Sequence, residues 1–449
     1  MHIVKQILKK CTPGFVLDWY YRVVAQLAAI IYGHPSKKMI IIGVTGTKGK
    51  STTSNIIWKI LTEAGHTVGL TGTINTRIGE LNELNTNKMT MTGRFGLQRM
   101  LKKMVDAGCD VAIVETTSEG IKQYRHKAIY YDICAFTNLT PEHLESHGGF
   151  EQYKAAKMQL FHHLSVLPLK KIDDVEVPRV SIANIANEHG ADFLAPGEHT
   201  KISVGREDGA DIVLSDVVEK LNGTEFKVNG TPMRIPLLGE WNAENAVMAM
   251  SIANALGVSI EDMVESAAEI EAIPGRMEFI DEGQDFSVIV DYAYEPVSLR
   301  LLYEFCRKLI GPENKIITLI SSTGGGRDVG RRKPNGQVAG ELCDYAIVTD
   351  EDPYDDDPQE IIDMVAEGVA AAGKIEGENF WRILDRAEAI HKAIGLAEPG
   401  DVVLTTAKGA EQKMCIAGGK KIDWDDRAVA RKAIQEKKES AIKKAHIGG

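Results

Sequence analysis

No two cysteines in this chain stand at metal-binding spacing. The six, at positions 11, 109, 134, 306, 343 and 415, include no C-x-x-C pair. That excludes a zinc ribbon and speaks against a disulfide scaffold, leaving reduced thiols of a cytoplasmic protein. An excess of positive charge is also missing. Against 52 Lys and Arg stand 63 Asp and Glu, a formal net charge of −11, so a nucleic-acid-binding surface is not expected as the main business. No signal peptide is evident, and no apolar run approaches the roughly 18 residues of a membrane span. Internal repeats and low-complexity tracts are absent. What remains is ordinary globular material: 44% hydrophobic and 26% charged residues over a length with room for about three domains.

The segment Ile40-Ile41-Ile42-Gly43-Val44-Thr45-Gly46-Thr47-Lys48-Gly49-Lys50-Ser51-Thr52-Thr53 stands out. An apolar run reads as a buried strand, a glycine-rich turn follows, and Ser54 to Ala64 reads as a helix. That is the layout of a phosphate-binding loop, with Gly46, Thr47, Lys48, Gly49, Lys50, Ser51 and Thr52 around the phosphates of ATP. Lys50 supplies a point charge, and Ser51 offers a hydroxyl to Mg²⁺. The strict pattern wants a glycine where this chain has Val44; its glycines fall at 43, 46 and 49 instead. A chance Gly/Lys/Ser turn is the bland alternative, weakened by the strand before and the helix after.

The chain divides into three parts. Residues 1–37 form a short helical preface whose pattern, Phe15 to Tyr32, stops at Gly33-His34-Pro35. A membrane-surface helix and a helix packed on its own domain both fit; the small number of cations favours packing. Residues 38–274 alternate apolar strands (Met39–Val44, Val111–Glu115, Ile133–Thr137, Val180–Ala183) with helices, the pattern of a P-loop ATPase domain with a mostly parallel sheet. Within it Thr200 to Pro236, with turn signals at Asn222-Gly223 and Asn229-Gly230, suggests a small antiparallel insertion. Residues 275–449 predict a second, Rossmann-like α/β domain, with strands at Phe286–Asp291, Lys315–Ser321, Tyr345–Thr349 and Asp401–Thr405. Its lysine-rich tail from Glu436 is expected to fray.

Four clusters sit where strands should end, the edge at which open α/β sheets bind ligands. Glu115, closing an apolar run, can hold Mg²⁺ across from the phosphate loop. Thr137 to His147, Tyr153 to Phe161 and Gly239 to Asn245 follow. Singly they have ordinary readings: His143 as a satisfied polar residue, Lys157 as a solvated helix side chain, Asn242 as an N-cap and Asn245 as a first-turn residue.

In this order after this loop, the clusters resemble the Mur ligase superfamily, and within it the branch that adds the third residue of the peptidoglycan stem. The resemblance runs from about Met39 to Arg431. It includes Asn138-Leu139-Thr140-Pro141-Glu142-His143-Leu144, the Gly239-x-x-Asn242-x-x-Asn245 run, Pro274-Gly275-Arg276-Met277-Glu278 and Val290-Asp291-Tyr292-Ala293. Gly325-Gly326-Arg327-Asp328, Lys408-Gly409-x-Glu411 and Asp425-Asp426-Arg427 complete it. It implies an ATP-dependent amide-bond synthetase that makes an acyl phosphate on a carboxylate-bearing muropeptide and lets an amino acid attack it. Lys50, His143 and Lys157 would be catalytic. Ser51, Glu115, His143 and Lys157 would hold Mg²⁺, with Lys157 carbamylated to an anionic ligand. Asn245, Arg276 and Asp291 would contact ATP, and Asp352, Pro353, Tyr354, Lys408 and Glu411 the amino acid.

The family pattern breaks in three places. Its N-terminal uridine-nucleotide domain has no counterpart here, so either UDP is not recognised, a partner protein supplies the function, or the preface makes a reduced site. The Asp-Asn-Pro-Arg motif reads Glu351-Asp352-Pro353-Tyr354, removing the arginine that binds the distal carboxylate of diaminopimelate. Nearby Asp350, Asp355, Asp356 and Asp357 would suit a cationic side chain, or would merely charge a helix N-terminus. Imidazoles of the family pattern are replaced at Glu119, Tyr294 and Ala410. Two alternatives stay open: the same chemistry on a folate-like or other γ-glutamyl acceptor, and a non-catalytic ATP-binding subunit.

Overall fold

The structure, a computed structural model, describes residues 13–447 except 80, 142–146, 221 and 328. Two compact units divide it, Met1–Glu271 and Ala272–Gly449.

In the first unit, β1 (Ile40–Thr45) is apolar toward both faces because it lies deep inside an eleven-stranded sheet, with Ile41, Ile42 and Val44 fully buried. The other strands are β2 (Val68–Thr71), β3 (Asn75–Ile78), β4 (Leu81–Leu84), β5 (Val111–Glu115) and β6 (Ile133–Phe136). After a detached hairpin of β7 (Lys171–Ile172) and β8 (Val175–Glu176) come β9 (Val180–Asn184), β10 (Thr200–Gly205), β11 (Ile212–Lys220), β12 (Gly223–Val228) and β13 (Thr231–Ile235). Their order is β13-β12-β11-β10-β9-β6-β1-β5-β2-β3-β4. Every pairing from β11 across to β2 is parallel; the outer strands on both flanks are antiparallel. The stretch from Thr200 to Pro236 is antiparallel over β11, β12 and β13, as expected, but it extends the main sheet instead of standing apart as an insertion. Its first strand, β10, pairs parallel with β9 and carries the main sheet outward before the chain turns back. Short alternating runs describe an edge as well as an insertion, which is why the pattern misled.

The register places chemistry at one edge. Val44 lies opposite Glu115, and Thr45 opposite Phe136, so the loop after β1 emerges between Glu115 and the Thr137-Asn138 segment. Beneath it, Phe136 stacks on Phe193 at 3.8 Å between ring centres, in a core shared with Tyr131, Leu160 and Phe161.

The preface helix, Gly14–Ile31, does pack on its own unit: Ala25, Ala28 and Ala29 are its buried residues, and Tyr21, Arg22 and Gln26 add contacts to Arg94, Tyr124 and Lys127. Most of its bulky residues face outward, Leu17, Tyr21 and Val24 being half-buried. By length and apolar content it could cross a membrane, which the sequence reading passed over because Asp18 and Arg22 interrupt the run.

The second unit holds a six-stranded sheet of β14 (Glu278–Phe279), β15 (Ser287–Val290), β16 (Ile316–Ile320), β17 (Tyr345–Val348), β18 (Phe380–Arg382) and β19 (Val402–Thr405), ordered β14-β15-β19-β16-β17-β18. All pairings but the first are parallel. A hairpin of β20 (Lys413–Ile416) and β21 (Lys420–Asp423) follows. The tail does not fray from Glu436: the helix Asp426–Ile447 continues through it. That helix is tied down by a fully buried pair, Arg386 Nη2 to Asp426 Oδ2 at 2.6 Å. Arg386 also donates to the carbonyls of Thr406 and Asp350 at 2.7 and 3.1 Å, which fixes the loops leaving β19 and β17. Removing either partner leaves a buried charge and costs about 3–5 kcal/mol.

Candidate active site

The phosphate loop is shaped by two glycines. Gly46 (φ 152°) and Gly49 (φ 80°) both lie where side chains are disfavoured. A Cβ at Gly46 would fall 1.9 Å from Thr137 Oγ1, and one at Gly49 would fall 2.1 Å from Asn245 Oδ1. The helix Lys50–Glu63 starts directly after the turn, so its N-terminal N–H groups and positive dipole end face the loop. Thr52 is buried in its first turn.

Asn138 clamps this loop. Its Oδ1 accepts from Lys48 N at 2.9 Å, its Nδ2 donates to Lys48 O at 3.2 Å, and its backbone carbonyl accepts from Thr47 N at 2.8 Å. Thr137 Oγ1 adds a bond to Lys48 O at 2.7 Å. Thr47 Oγ1 meets Tyr153 OH at 3.2 Å and accepts from Thr140 N at 3.1 Å.

Two lysines converge on one carbonyl of the loop. Lys50 Nζ donates to Gly46 O at 3.0 Å and to Thr47 O at 2.8 Å. Lys157, from the helix Phe150–Val166, reaches Gly46 O at 2.7 Å and lies over the Tyr153 ring. Lys157 is 1% exposed, far from the solvated side chain that a helical lysine usually is.

Glu115, also 1% exposed, accepts at Oε2 from Ser51 Oγ at 3.1 Å and from Thr73 Oγ1 at 2.7 Å. The result is a buried carboxylate with hydroxyls around it, beside a helix N-terminus. Among the described residues no three His, Cys, Asp or Glu side chains form a metal-binding cluster.

In the second unit, Lys408 is fully buried and bridges two acids, Asp352 Oδ1 at 3.2 Å and Glu411 Oε2 at 2.8 Å. Asp352 also accepts from Cys415 N at 2.7 Å, and Tyr292 OH donates to Glu411 Oε1 at 3.3 Å. Burial raises the carboxyl pKa of Glu351, with Asp352 adding to the effect; its Oε2 accepts from Ser321 Oγ. Tyr354 takes a left-handed backbone (φ 53°), and the guanidinium of Arg327 sits 4.9 Å from its ring centre. Arg276 and Arg331 lie in the same way over Tyr292 and Tyr294, at 4.3 and 4.8 Å.

Comparison with known proteins gives these two constellations a family. Residues 44–253 match the Mur ligase middle domain, and residues 275–409 match the Mur ligase, glutamate ligase domain. Over 425 residues the chain is 37% identical to the UDP-N-acetylmuramyl-tripeptide synthetase of Roseiflexus sp. (strain RS-1), covering 92% of this chain and 82% of that protein. The chain belongs to the Mur ligase family. It is also 34% identical, over 95% of its length and 85% of the relative's, to the UDP-N-acetylmuramoyl-L-alanyl-D-glutamate–2,6-diaminopimelate ligase of Bacillus licheniformis. A solved diaminopimelate ligase of that name superposes with a TM-score of 0.59 at 26% identity, over 89% of this chain and 79% of the other. As a Mur ligase it is an ATP-dependent ligase whose family joins amino acids to muropeptide precursors.

The structure brings most of the sequence-singled residues together in this Mur ligase. Gly46 to Thr52, Glu115 and Lys157 share one loop edge. Asn245 lies against Gly49, its Nδ2 donating to Asn242 Oδ1 at 3.2 Å. His143 lies outside the described residues. Asp291 is occupied in turn-making: it accepts from Met277 N and Ala293 N at 2.8 and 2.7 Å, and burial raises its pKa against the opposing influence of Arg276. Glu119 is exposed and accepts from Gln123. The acids after Tyr354 are engaged in holding backbone: Asp355 accepts from Gly418 N, Asp356 from Gly326 N, and Asp357 caps the helix Pro358–Ala371. They offer no special argument for a cationic substrate. Thr73 was missed, and Thr137 and Asn138, though inside a singled-out cluster, were given no role of their own. Thr73 had no signal, whereas Asn138 stood inside the quoted motif.

Proposed function

We propose that this Mur ligase adds the third residue of the peptidoglycan stem to a UDP-linked muramoyl-dipeptide, releasing ADP and phosphate. The observation that carries the reading is the meeting of Lys50 and Lys157 at the Gly46 carbonyl, on the edge where Ser51 touches Glu115. The names of the similar proteins, a tripeptide synthetase and a diaminopimelate ligase, support the acceptor.

Hydroxyl and carboxylate oxygens at a helix N-terminus fit a small hard cation that keeps several waters and takes its remaining ligands from phosphate. Ser51 and Glu115 would hold Mg²⁺, and Thr73 would orient Glu115. Bound there, Mg²⁺ lowers the repulsion between the phosphates and an incoming carboxylate. A second site would use His143 and a carboxylated Lys157, since a lysine ammonium cannot serve as a ligand.

The chain's own groups then divide the work. The loop N–H groups and Lys50 hold the phosphates while the dipeptide carboxylate attacks the γ-phosphorus and ADP departs. Lys157, where uncarboxylated, adds positive charge at the same point. The amino acid's amine next attacks the acyl carbon, loses its proton, and phosphate leaves. Asn245, Arg276 and Asp291 are the proposed nucleotide contacts. Glu411, linked to Asp352 through Lys408, and Arg327, over the Tyr354 ring, offer a carboxylate and a guanidinium along the Asp352-Pro353-Tyr354 loop, suited to the amine and carboxylate of the incoming amino acid. Lys408 and Asp352 act by holding Glu411 and that loop in place. The need for ATP puts the activity in the cytoplasm.

The test is ADP release by the purified chain under omission of each substrate. Release that requires UDP-N-acetylmuramoyl-dipeptide and an amino acid together supports the reading. Release driven by a γ-glutamyl acceptor lacking UDP would overturn it.

A further inference from the structure

The helix Gly14–Ile31 is mounted with its bulky side outward. At 100° per residue its buried residues, Ala25, Ala28 and Ala29, fall on one arc. The opposite arc carries Phe15, Val16, Trp19, Tyr20, Val23, Leu27, Ile30 and Ile31, all exposed, with Phe15 at 76% and Trp19 at 65%; Gln26 is the polar residue among them. The orientation is fixed by contacts on the inner side and at the margin of the exposed arc. Arg22 lies over the Tyr124 ring at 4.8 Å, Arg94 over Tyr21 at 4.1 Å, and Gln26 Nε2 donates to Lys127 O at 3.5 Å. A contiguous apolar face of this kind is rare on a free surface and marks a contact.

Charge identifies what it meets. Within a chain of net charge −11, the described residues 13–38 hold Arg22, Lys37 and Lys38 against Asp18 alone. The helix beneath, Arg94–Asp106, adds Arg94, Arg99, Lys102 and Lys103 against Asp106, which pairs with Lys102, and the adjoining segment adds Lys122, Arg125 and Lys127 against Glu119, so both segments stay net positive. An apolar stripe containing Trp and Tyr, set in a cationic patch of an otherwise acidic protein, suits negatively charged lipid headgroups over an acyl layer. A protein partner would need no such local reversal of charge.

We infer that the helix Gly14–Ile31 docks this ligase on an anionic membrane surface, lying in the interface with Phe15, Trp19, Val23, Leu27 and Ile30 toward the acyl chains. The alanine face on the protein keeps it along the surface instead of across the bilayer. The inference is independent of which acceptor the active site takes.

The experiment is sedimentation of the full chain with vesicles of phosphatidylcholine, with and without phosphatidylglycerol. Binding to the phosphatidylglycerol vesicles is expected, weakened by salt and released by carbonate, and reduced about tenfold or more in Trp19→Glu/Ile30→Glu. Both side chains are mostly exposed, so the variant should keep its melting temperature and its ATP turnover. No sedimentation with either vesicle, binding that survives the double substitution, or resistance to carbonate would overturn the inference. So would a dimer in lipid-free solution that the same substitutions dissolve, because a second copy would then be the occupant.

Discussion

Ser51 Oγ lies 3.1 Å from Glu115 Oε2 although 64 residues separate them, because β1 and β5 pair with Val44 opposite Glu115. The phosphate loop and its acid are thus built by one strand pairing. Glu115→Gln preserves the shape and still accepts from Ser51 and Thr73, but removes the charge that would hold Mg²⁺. Turnover is expected to fall about a hundredfold or more, with a higher Mg²⁺ requirement and an unchanged melting temperature. Full activity at ordinary Mg²⁺ would remove Glu115 from the metal site.

Asn138 makes two side-chain bonds to the backbone of Lys48. Asn138→Ala leaves both loop groups without that partner, a loss of about 1–3 kcal/mol. The loop should loosen, and ADP affinity measured by calorimetry should drop about tenfold. Unchanged affinity would show that Thr137 and the Thr47–Asn138 backbone bond suffice.

Lys157 is the residue whose chemistry the fold constrains most tightly, buried against Gly46. If it is carboxylated, protein equilibrated with ¹³C-bicarbonate should show a carbamate carbon resonance that Lys157→Ala lacks, and that variant should make no amide product. An identical spectrum for both proteins would dismiss the modification. Near wild-type synthesis by Lys157→Ala would dismiss the lysine altogether.

Acid should weaken the first unit through a buried histidine pair. Burial lowers His163 from 6.5 to about 4 and pushes the neighbouring His126 well down, the two rings 5.3 Å apart. The unfolded chain takes up the His163 proton near pH 6.5, while the folded chain resists until about 4. Stability is therefore full above that window and declines as pH falls through it, by roughly 3 kcal/mol from His163 alone. His163→Gln can keep a donor toward Ile129 O, the present partner at 3.1 Å, and its denaturation midpoint should vary less between pH 6.5 and 4. An unaltered pH slope would place the titration elsewhere.

Much of this was legible in the residues. The apolar run into Gly46 and the Ser/Lys turn announce β1 and its loop because both depend on local chemistry, and the central strands of both sheets follow from their length and burial. Other features depend on contacts distant in sequence. Thr73 reaches Glu115 only because β2 lies beside β5, and no local pattern marks it. The hairpin β20–β21 was missed because Lys413 to Asp423 is short and shows no regular alternation, with Lys420 and Lys421 adjacent. The lysine-rich tail was expected to fray because the Arg386–Asp426 anchor comes from tertiary structure. The preface helix shows the same limit: periodicity reveals a helix, but not that alanines would take the inner side.

The most direct measurement is the mass of the product formed from ATP, Mg²⁺, UDP-N-acetylmuramoyl-dipeptide and a panel of lysine, ornithine and diaminopimelate. The account predicts a gain equal to one of these amino acids less one water, with one ADP per product. No mass gain on that acceptor, together with ADP released on a carboxylate lacking UDP, would contradict it.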